Sequence, residues 1–406
     1  MSYSEDVLHG GDAMRFHRVR TLRRALIALI ASILLYILFA YEPVNIPVLA
    51  FSPSTPDAPV YQSRPVYEYT SLYRLRANIS FEERLEEQLV SLEREVRSKL
   101  LKEEKDLVAK KRIWQITTPD LAEAWKSWIS QWRDNNAGWE YKLYTSPPTD
   151  LMPLFDSIPQ IAEANQKFPS IREDLVRYLI LWYHGGFYTA IDTWDRVAMR
   201  DCQPIVKVVE GKRDVSLVIG VDDDEPYLSS QTLKQWGWMR GFGFGQAVMW
   251  APRRFDPILR RAIVRTISHV LVQESLPKGS WSQRQLSRIG SHIDTSGEVS
   301  GAGMFTDIVL EVLSESLADG HEIRDRDAGL ERRVSWKKFR HMKEVMWLER
   351  NQLKDKSDED MRGLAVLPIN VWGSGQTHSK SGPSESDDAC VNHVHGWRPK
   401  RHKIFG

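Results

Sequence analysis

The sequence predicts an α/β fold, in which a largely parallel sheet is covered by helices on both faces. Two strand-like segments, RIWQI at 112–116 and WEYKLYT at 139–145, flank residues 120–135, whose apolar side chains recur at helical spacing. The same alternation of strand-like and helix-like segments continues further along the chain. Because alternating strands and helices build parallel sheets, this order favours the α/β class.

The next predicted helix and strand meet at a pair of glycines. Residues 168–184 have helical character, and Gly185 and Gly186 supply the glycine that commonly ends a helix. The segment that follows, GFYTAID at 186–192, has the composition of a strand and ends in a carboxylate, Asp192.

A second strand-like segment, VSLVIGVDDDEP at 215–226, also ends in acidic residues, Asp222–Asp224. Ligands of α/β sheets gather at the carboxyl ends of the strands, so these acids and Asp192 are candidate site residues. One or two carboxylates with phosphate oxygens are the ligand set that Mg²⁺ or Mn²⁺ prefers. The pattern suggests metal-assisted handling of a diphosphate, although one Asp after a strand is more often a turn or helix-cap residue.

Composition excludes several classes of protein. The 406 residues carry a formal net charge of +1, so no overall field indicates nucleic acid as a partner. Two cysteines, Cys202 and Cys390, are too few for a disulfide scaffold or a thiolate zinc cluster. A single disulfide remains open if the chain reaches an oxidising compartment.

The N-terminal region predicts a membrane anchor. Residues 25–41 carry no charge, arginines are frequent between residues 15 and 24, and no Lys or Arg follows until Arg64. The positive-inside rule then leaves residues 1–24 in the cytosol and sends the rest across the membrane. A cleaved signal peptide fits less well, because no clear small-residue cleavage site follows.

Between the anchor and the predicted globular body lie a spacer and a stem. Residues 42–80 are rich in proline, which favours an extended spacer. Residues 81–110 are rich in helix formers, and their apolar side chains, from residue 85 to residue 96, step by four, three and four. This spacing predicts either self-association as a coiled coil through residues 82–110 or a solitary helix that lies against the body at 111–406.

Several ordered motifs resemble one known family, glycosyltransferase family 32. The family pattern is a Trp-Gln strand, an Asp–two–Arg-Tyr helix, and Gly-Gly-aromatic-Tyr leading into D-x-D. The segments that resemble this family in order are IWQI at 113–116, 168–193, FGQAVMWAPRRFDPIL at 244–259, GAGMFTDIVLEVL at 301–313, LAVLPINVW at 364–372 and VNHVHGW at 391–397.

This resemblance implies a fold, a reaction and a cellular location. It implies a GT-A-type fold, a nucleotide-sugar donor, with GDP-mannose expected, and Mn²⁺ or Mg²⁺ as cofactor. Together with the anchored layout it implies a type II Golgi membrane protein similar to the fungal α-1,6-mannosyltransferases. Such an enzyme would transfer a hexose to a glycan acceptor with retention of anomeric configuration.

The resemblance also implies roles for individual residues of the donor site. Trp114 resembles the residue that stacks on the donor base, and Tyr188 belongs to the donor-binding strand. Asp174 and Arg177, three residues apart on one helical face, resemble the pair that holds the donor sugar and its phosphate. The alternative for this pair is a surface ion contact worth little.

The metal is expected at the D-x-D position. Asp192 resembles the second Asp, which would bind the metal directly, with help from Asp195 or the Asp222–Asp224 run. Near the C-terminus, His393 or His395 would close over the metal or the diphosphate, or would be a solvated tail histidine.

One position departs from the family pattern. The first Asp of D-x-D should stand at 190, where this chain has Ala190. Alanine can neither bind the ribose nor reach a metal through water. Two hypotheses follow: an active enzyme that relies on Asp192, or a pseudoenzyme that serves as a subunit of a Golgi glycosyltransferase complex.

Overall fold

The computed structural model describes residues 59–61, 71–103, 107–145, 151–236, 238, 240–275, 296–325, 333–354, 362–376 and 378–393. The predicted tail, the anchor at 25–41, most of the proline-rich spacer and His395 lie outside these residues. Within the described part of the chain, no helix is both long and apolar enough to span a membrane.

The centre of the protein is a mixed seven-stranded sheet. Nine strands are present in the described ranges: β1 Arg112–Ile116, β2 Glu140–Tyr144, β3 Gly186–Thr189, β4 Thr193–Asp195, β5 Leu217–Asp224, β6 Phe242–Ala251, β7 Met346–Glu349, β8 Gly363–Leu367 and β9 Val391–His393. The sheet order is β2-β1-β3-β6-β5-β8-β7, and β4 pairs separately with β9.

Five of the seven sheet strands run in one direction, while β6 and β7 run against them. The predicted α/β class is therefore confirmed, but the sheet is mixed rather than largely parallel, because three of its six strand pairings are antiparallel. Since β6 is antiparallel to both β3 and β5, these two strands run parallel to each other. Their carboxyl ends, which carry the acidic residues, meet at the same edge of the sheet.

Helices cover the sheet. They are α1 Leu72–Leu75, α2 Ile79–Lys102, α3 Pro119–Ala124, α4 Lys126–Asn135, α5 Met152–Ser157, α6 Pro159–Lys167, α7 Arg172–His184, α8 Val206–Val209, α9 Ser230–Trp236, α10 Pro257–Ser275, α11 Ser296–Val299, α12 Ala302–Ser316 and α13 Ile369–Trp372.

Side chains of β3 alternate between two cores, as the period of two in a strand requires. Tyr188 joins the larger core with residues of α7, α10 and α12, while Phe187 joins the smaller core with Trp132 of α4 and Trp250. The sheet therefore has apolar packing on both faces, which matches the apolar composition of its strands.

The stem helix α2 lies against the body rather than apart from it. Two of the residues predicted to form a coiled-coil seam, Leu85 and Leu89, are fully buried in the larger core. Glu93 of α2 pairs with Arg260 of α10 at 2.9 Å. Of the two sequence-based alternatives, the structure shows a helix packed on the globular body. The apolar side chains of the predicted seam therefore pack against the body of the same chain.

The two cysteines form a disulfide, Cys202–Cys390, which closes a segment of 188 residues. Cys202 follows β4, and Cys390 directly precedes β9. The bond therefore ties the C-terminal strand to the region that follows the D-x-D position.

Candidate active site

The two glycines before β3 allow it to pack closely on β1. Gly185 and Gly186 have φ values of 66° and 102°, which favour glycine. A Cβ on Gly186 would stand 2.7 Å from Nε1 of Trp114 and 2.9 Å from the carbonyl oxygen of Arg112. The Gly-Gly pair therefore ends α7 and also makes room for a neighbouring strand.

Trp114 is a core residue in this structure. It is fully buried, and its indole N–H donates to the carbonyl oxygen of Gly185 at 2.8 Å. Tyr144 stacks on its ring, and the Arg112 guanidinium lies 4.7 Å from the ring centre. Neither face of the indole is exposed, so the structure does not place Trp114 where it could stack on a donor base.

The chain turns at the end of β3 and presents Asp192 at the edge of the sheet. The N–H of Ala190 donates to the carbonyl oxygen of Ala247 at 2.7 Å, which keeps residue 190 in line with the strand. Its own carbonyl accepts from the Thr193 hydroxyl at 2.7 Å and from the Gln115 amide at 3.1 Å. These bonds fix the turn, and the Asp192 side chain is 39% exposed.

The C-terminal strand places a histidine beside this carboxylate. Antiparallel pairing of β4 with β9 sets Thr193 opposite His393. Nε2 of His393 lies 3.3 Å from Oδ2 of Asp192, and the histidine side chain is 14% exposed. The structure thus brings together two predicted site residues that are far apart in sequence. The predicted alternative, His395, lies outside the described residues.

The donor set at this edge fits a divalent cation in part. A carboxylate oxygen and an imidazole nitrogen suit Mn²⁺. Among the described residues, no group of three or more His, Cys, Asp or Glu side chains forms a complete site. Asp192 and His393 would therefore leave most coordination positions to other ligands, such as diphosphate oxygens.

Asp195 is not placed where it could help Asp192. It is fully buried, and its Oδ2 accepts a hydrogen bond from the Asn136 amide at 2.8 Å. Burial raises the pKa of Asp195 to about 6, and the amide hydrogen bonds lower it only in part. Asp195 therefore holds β4 against α4, and the predicted metal-supporting role has no support in this geometry.

The acidic residues at the end of β5 are also largely engaged in contacts with other parts of the protein. Asp224 is buried, and its carboxylate lies 3.1 Å from Nδ1 of His341 and 3.7 Å from Nε of Arg340. Asp222 packs against β6, where a Cβ on Gly245 would stand 3.2 Å from the Cβ of Asp222. Asp224 therefore serves an ion pair rather than an open ligand position.

The Asp174–Arg177 pair is buried rather than a surface contact. Nη1 of Arg177 lies 2.9 Å from Oδ1 of Asp174, and Nη2 donates to Glu173 at 3.1 Å. The guanidinium also lies 4.5 Å from the ring centre of Tyr188. Burial alone would lower the pKa of Arg177, but Tyr188 and the two carboxylates outweigh it and raise that pKa. Arg177 is therefore a permanent cation within a buried network.

Two further residues complete this network, and sequence reasoning missed both. The Ser300 hydroxyl donates to Oδ2 of Asp174 at 2.6 Å, and the Gln246 amide donates to Oδ1 at 3.2 Å. The Tyr178 hydroxyl donates to the Ser300 carbonyl at 2.8 Å. Gln246 lies in the motif segment 244–259 and Ser300 directly precedes the segment 301–313. The sequence marked these two residues only by their position in or beside a motif segment, and such a position does not show that they contact Asp174.

A second buried ion cluster fixes the segment that carries Ser300. Arg240 donates to both carboxylate oxygens of Glu298, at 2.7 Å and 2.5 Å, and pairs with Asp307 at 2.5 Å. The Thr306 hydroxyl accepts from the N–H of Phe244 at 2.8 Å. The Thr-Asp of GAGMFTD thus attaches α12 to β6 and positions Ser300 near Asp174.

Comparisons with known proteins find similarity to glycosyltransferases. Residues 122–204 match the model of a family described as a glycosyltransferase sugar-binding region containing a DXD motif. HOC1 of Saccharomyces cerevisiae, a glycosyltransferase by name, is 26% identical over 238 residues, which cover 57% of this chain and 53% of that protein. The chain thus spans about half the length of this relative.

A second relative matches more of the chain. The initiation-specific alpha-1,6-mannosyltransferase of Candida albicans is 25% identical over 302 residues, which cover 70% of each chain. A solved structure, the PaToxG glycosyltransferase, is similar with a TM-score of 0.33 and 12% identity, over 50% of this chain and 70% of that chain. This similarity is too low to assign a fold or a function.

The matched region runs from the α3–α4 unit through α7 and β3 to Cys202, and it therefore includes the buried Asp174–Arg177 network and the exposed Asp192. The resemblance seen in the ordered motifs is confirmed by these matches. Residues 122–204 are thus similar to the sugar-binding region of DXD glycosyltransferases, and the DXD position reads here as Ala190-Ile191-Asp192.

Proposed function

We propose that this protein is a metal-dependent glycosyltransferase that moves a hexose, mannose from GDP-mannose, to a glycan acceptor. The single observation that carries the proposal is the pairing of Asp192 with His393 at 3.3 Å on the open edge of the sheet. The edge lies where carboxyl ends of parallel strands collect ligands. The names of the two relatives support a glycosyltransferase, and the Candida albicans relative supports mannose.

Asp192 and His393 are the residues that would hold Mn²⁺ or Mg²⁺. A metal bound there would supply positive charge for the leaving nucleoside diphosphate. The partial exposure of Asp192 leaves space for phosphate oxygens beside its carboxylate.

Asp174 and Arg177 would form the wall of the donor site on the α7 side. Arg177 is already paired with two carboxylates, so its main effect is to fix the orientation of Asp174. Ser300 and Gln246 hold the same carboxylate from the other side. A carboxylate held by three donors loses little freedom on binding a sugar hydroxyl, which is how positioning contributes to catalysis. We also propose that the enzyme has a GT-A-type fold and retains the anomeric configuration of the transferred sugar.

The proposed location is the Golgi membrane, with the described body in the lumen. The Cys202–Cys390 disulfide supports an oxidising compartment, since such bonds are rare in the cytosol. The uncharged segment 25–41 and the arginines before it support a type II anchor.

Ala190 favours a second candidate function. Without the first Asp of D-x-D, the donor site lacks one carboxylate, and the protein would then be a folded subunit of a glycosyltransferase complex. The packing of α2 on the body means that a partner would have to use other surfaces than Leu85 and Leu89.

Calorimetric titration of GDP-mannose and of UDP-glucose into the full-length chain, with and without Mn²⁺, tests the proposal. We expect binding of GDP-mannose that needs the metal and is lost in Asp192→Ala. The matched control is Asp134→Ala, which removes a carboxylate that is 73% exposed. No metal-dependent binding of either donor by the folded protein would favour the pseudoenzyme.

A further inference from the structure

A cavity of about 630 Å³ opens at the carboxyl end of β5 and is not used by the proposed donor site. It is lined by Tyr61, residues 225–227, Arg340, His341, Gln376 and residues 378–382. Four separate segments of the chain therefore build it. Tyr61 comes from the segment before the stem, where its neighbour Val60 is fixed by hydrogen bonds with Ser229 and Thr232.

The backbone around this cavity is strained. Within the described part of the chain, four non-glycine residues have positive φ, and three of them line this cavity: His341 at 49°, Ser379 at 57° and Lys380 at 52°. Such residues cost free energy and persist where the surrounding structure holds them, often at ligand sites. The strain marks the cavity as a built feature.

Gln376 carries polar atoms that the protein does not use. Both Oε1 and Nε2 of its amide are buried and have no hydrogen-bond partner among the described residues. Leaving a buried amide unpaired is costly, and a native structure rarely does so without a reason. Because its present rotamer makes no hydrogen bond to the described residues, a rotation of the amide towards a ligand in the cavity would break none of them.

Charges around the cavity balance each other. Arg340 and His341 both face the buried carboxylate of Asp224, at 3.7 Å and 3.1 Å. Glu225 accepts a hydrogen bond from the N–H of Ser379 at 2.7 Å. Its negative charge equals in number the positive charge of the exposed Lys380. In formal count Arg340 and Lys380 are offset by Asp224 and Glu225, which favours a neutral ligand over a free anion.

Aromatic rings supply the apolar part of the lining. Tyr61, Tyr227 and His378 line the cavity, and His378 is held edge-on against Trp238 with ring centres 4.4 Å apart. Rings combined with a few convergent polar groups are typical of ligand pockets. A pyranose presents the matching surface, with apolar C–H faces and a rim of hydroxyls that both donate and accept.

The cavity and the Asp192–His393 edge share one segment of chain. From Gln376 and residues 378–382 the chain continues to β9, and Ser374 donates to the Asn392 amide oxygen next to His393. The carboxyl ends of β3 and β5 also meet at the same edge of the sheet. Resting on the proposed function, we propose that this cavity binds a neutral hexose unit of the acceptor glycan.

The test is calorimetric titration of linear α-linked mannotriose into the full-length chain, without donor or metal. We expect saturable binding that weakens at least tenfold in Gln376→Met. Because the amide has no hydrogen-bond partner among the described residues, the same variant should keep or raise the melting temperature. The matched control is Gln160→Met, whose Oε1 is also buried and unpartnered but lies on α6, away from the cavity. It should bind mannotriose like the natural protein.

Besides the absence of mannotriose binding, three results would overturn this inference. The first is equal mannotriose affinity in Gln376→Met and in the natural protein. The second is a lowered melting temperature in Gln376→Met, because it would show that the amide serves the fold. The third is tighter binding of mannose 6-phosphate than of mannotriose, because it would show a site for anions.

Failure of the proposed function gives a different pattern. If GDP-mannose does not bind with Mn²⁺ but mannotriose binds and depends on Gln376, the cavity is a glycan site in a protein without donor activity. If GDP-mannose binds and mannotriose does not, the donor site stands and the cavity inference fails.

Discussion

The buried network around Arg177 and the exposed pair at Asp192 are built in opposite ways. Arg177 is 5% exposed and joins carboxylates three and four residues before it on one helix. Asp192 is 39% exposed and meets a histidine supplied by the C-terminal strand. Helical spacing can specify the first group, whereas the second depends on the whole chain reaching its fold. We therefore expect changes to Arg177 to affect stability, and changes at Asp192 to affect ligand binding.

The largest effect is expected from loss of the disulfide, which secures the strand that carries His393. In the chain-entropy view, closing a loop of this length stabilises the folded state by about 5 kcal/mol. The double variant Cys202→Ser, Cys390→Ser should lower the free energy of unfolding in urea by up to that amount. It should also raise the Mn²⁺ concentration needed for donor binding, because Cys390 directly precedes β9.

A fall in stability with unchanged Mn²⁺ dependence would contradict this account. It would show that pairing of β4 with β9 alone positions His393. Reduction of the natural protein with dithiothreitol provides an independent comparison without any substitution.

Loss of the buried cation should have the next largest effect. Arg177→Met leaves Asp174, whose side chain is 16% exposed, without its ion-pair partner, and breaking such a buried pair costs about 3 kcal/mol, while Glu173, which is 54% exposed, loses little. Urea unfolding would measure this loss. The control is Arg133→Met, where an arginine that is 59% exposed faces Asp134, and about 0.5 kcal/mol or less is expected. Similar losses in both variants would mean that the network does not stabilise the fold.

Asp192→Asn should separate binding from stability. The amide keeps the size of the side chain but removes the charge that a cation needs, so donor turnover with Mn²⁺ should fall by at least about 100-fold. The free energy of unfolding should change by no more than about 0.5 kcal/mol, because the side chain is partly exposed. A variant that retains full turnover would remove Asp192 from the site.

A smaller, pH-dependent effect is expected from Asp195. Its pKa is about 6 in the folded protein, against about 3.9 in an unfolded chain. The folded state therefore favours the protonated form. Stability that is present below about pH 4 falls as the pH rises to about 6 and then stays constant.

Asp195→Asn removes this dependence. Compared with the natural protein, the variant should gain about 2 kcal/mol in free energy of unfolding between pH 4 and pH 7.5. Unfolding curves at these two pH values measure the gain. An equal difference between the two proteins at both pH values would show that Asp195 is already ionised in the fold at low pH.

Local patterns predicted much of what lies close together in sequence. The alternation of strands and helices, the helix before Gly185 and the strand that delivers Asp192 are all present. The resemblance to the family pattern singled out the Asp174–Arg177 pair, but its burial was not predicted, because a local motif does not reveal what covers a helix face. Trp114 and Asp195 were given functional roles, and both are buried in the core. A residue type at a motif position says nothing of its neighbours in space.

Long-range contacts could not be predicted. The sequence gives no register for β4 with β9, so it could not choose between His393 and His395, and it left the pairing of the cysteines open. Gln246 and Ser300 reach Asp174 through the fold of three segments. The cavity near Gln376 depends on contacts between residues 61, 225 and 340 that share no local pattern.

The smallest predicted effect lies where the two regions meet. Ala190 stands two residues after Tyr188, whose ring contacts the Arg177 guanidinium, and side chains two apart along an extended strand share one face, so we expect Ala190 on that face. Nε of Arg177 is buried and has no hydrogen-bond partner among the described residues.

Ala190→Asp would return a carboxylate to this face and should tighten metal-dependent GDP-mannose binding about tenfold, or 1.4 kcal/mol. Ala190→Asn, with the same size but no charge, should give no such gain in calorimetry. Weaker binding in both variants would mean that the space beside Ala190, which is 9% exposed, is closed to any larger side chain. Binding in Ala190→Asp alone, with none in the natural protein, would mean that this single alanine is what separates a complex subunit from an enzyme.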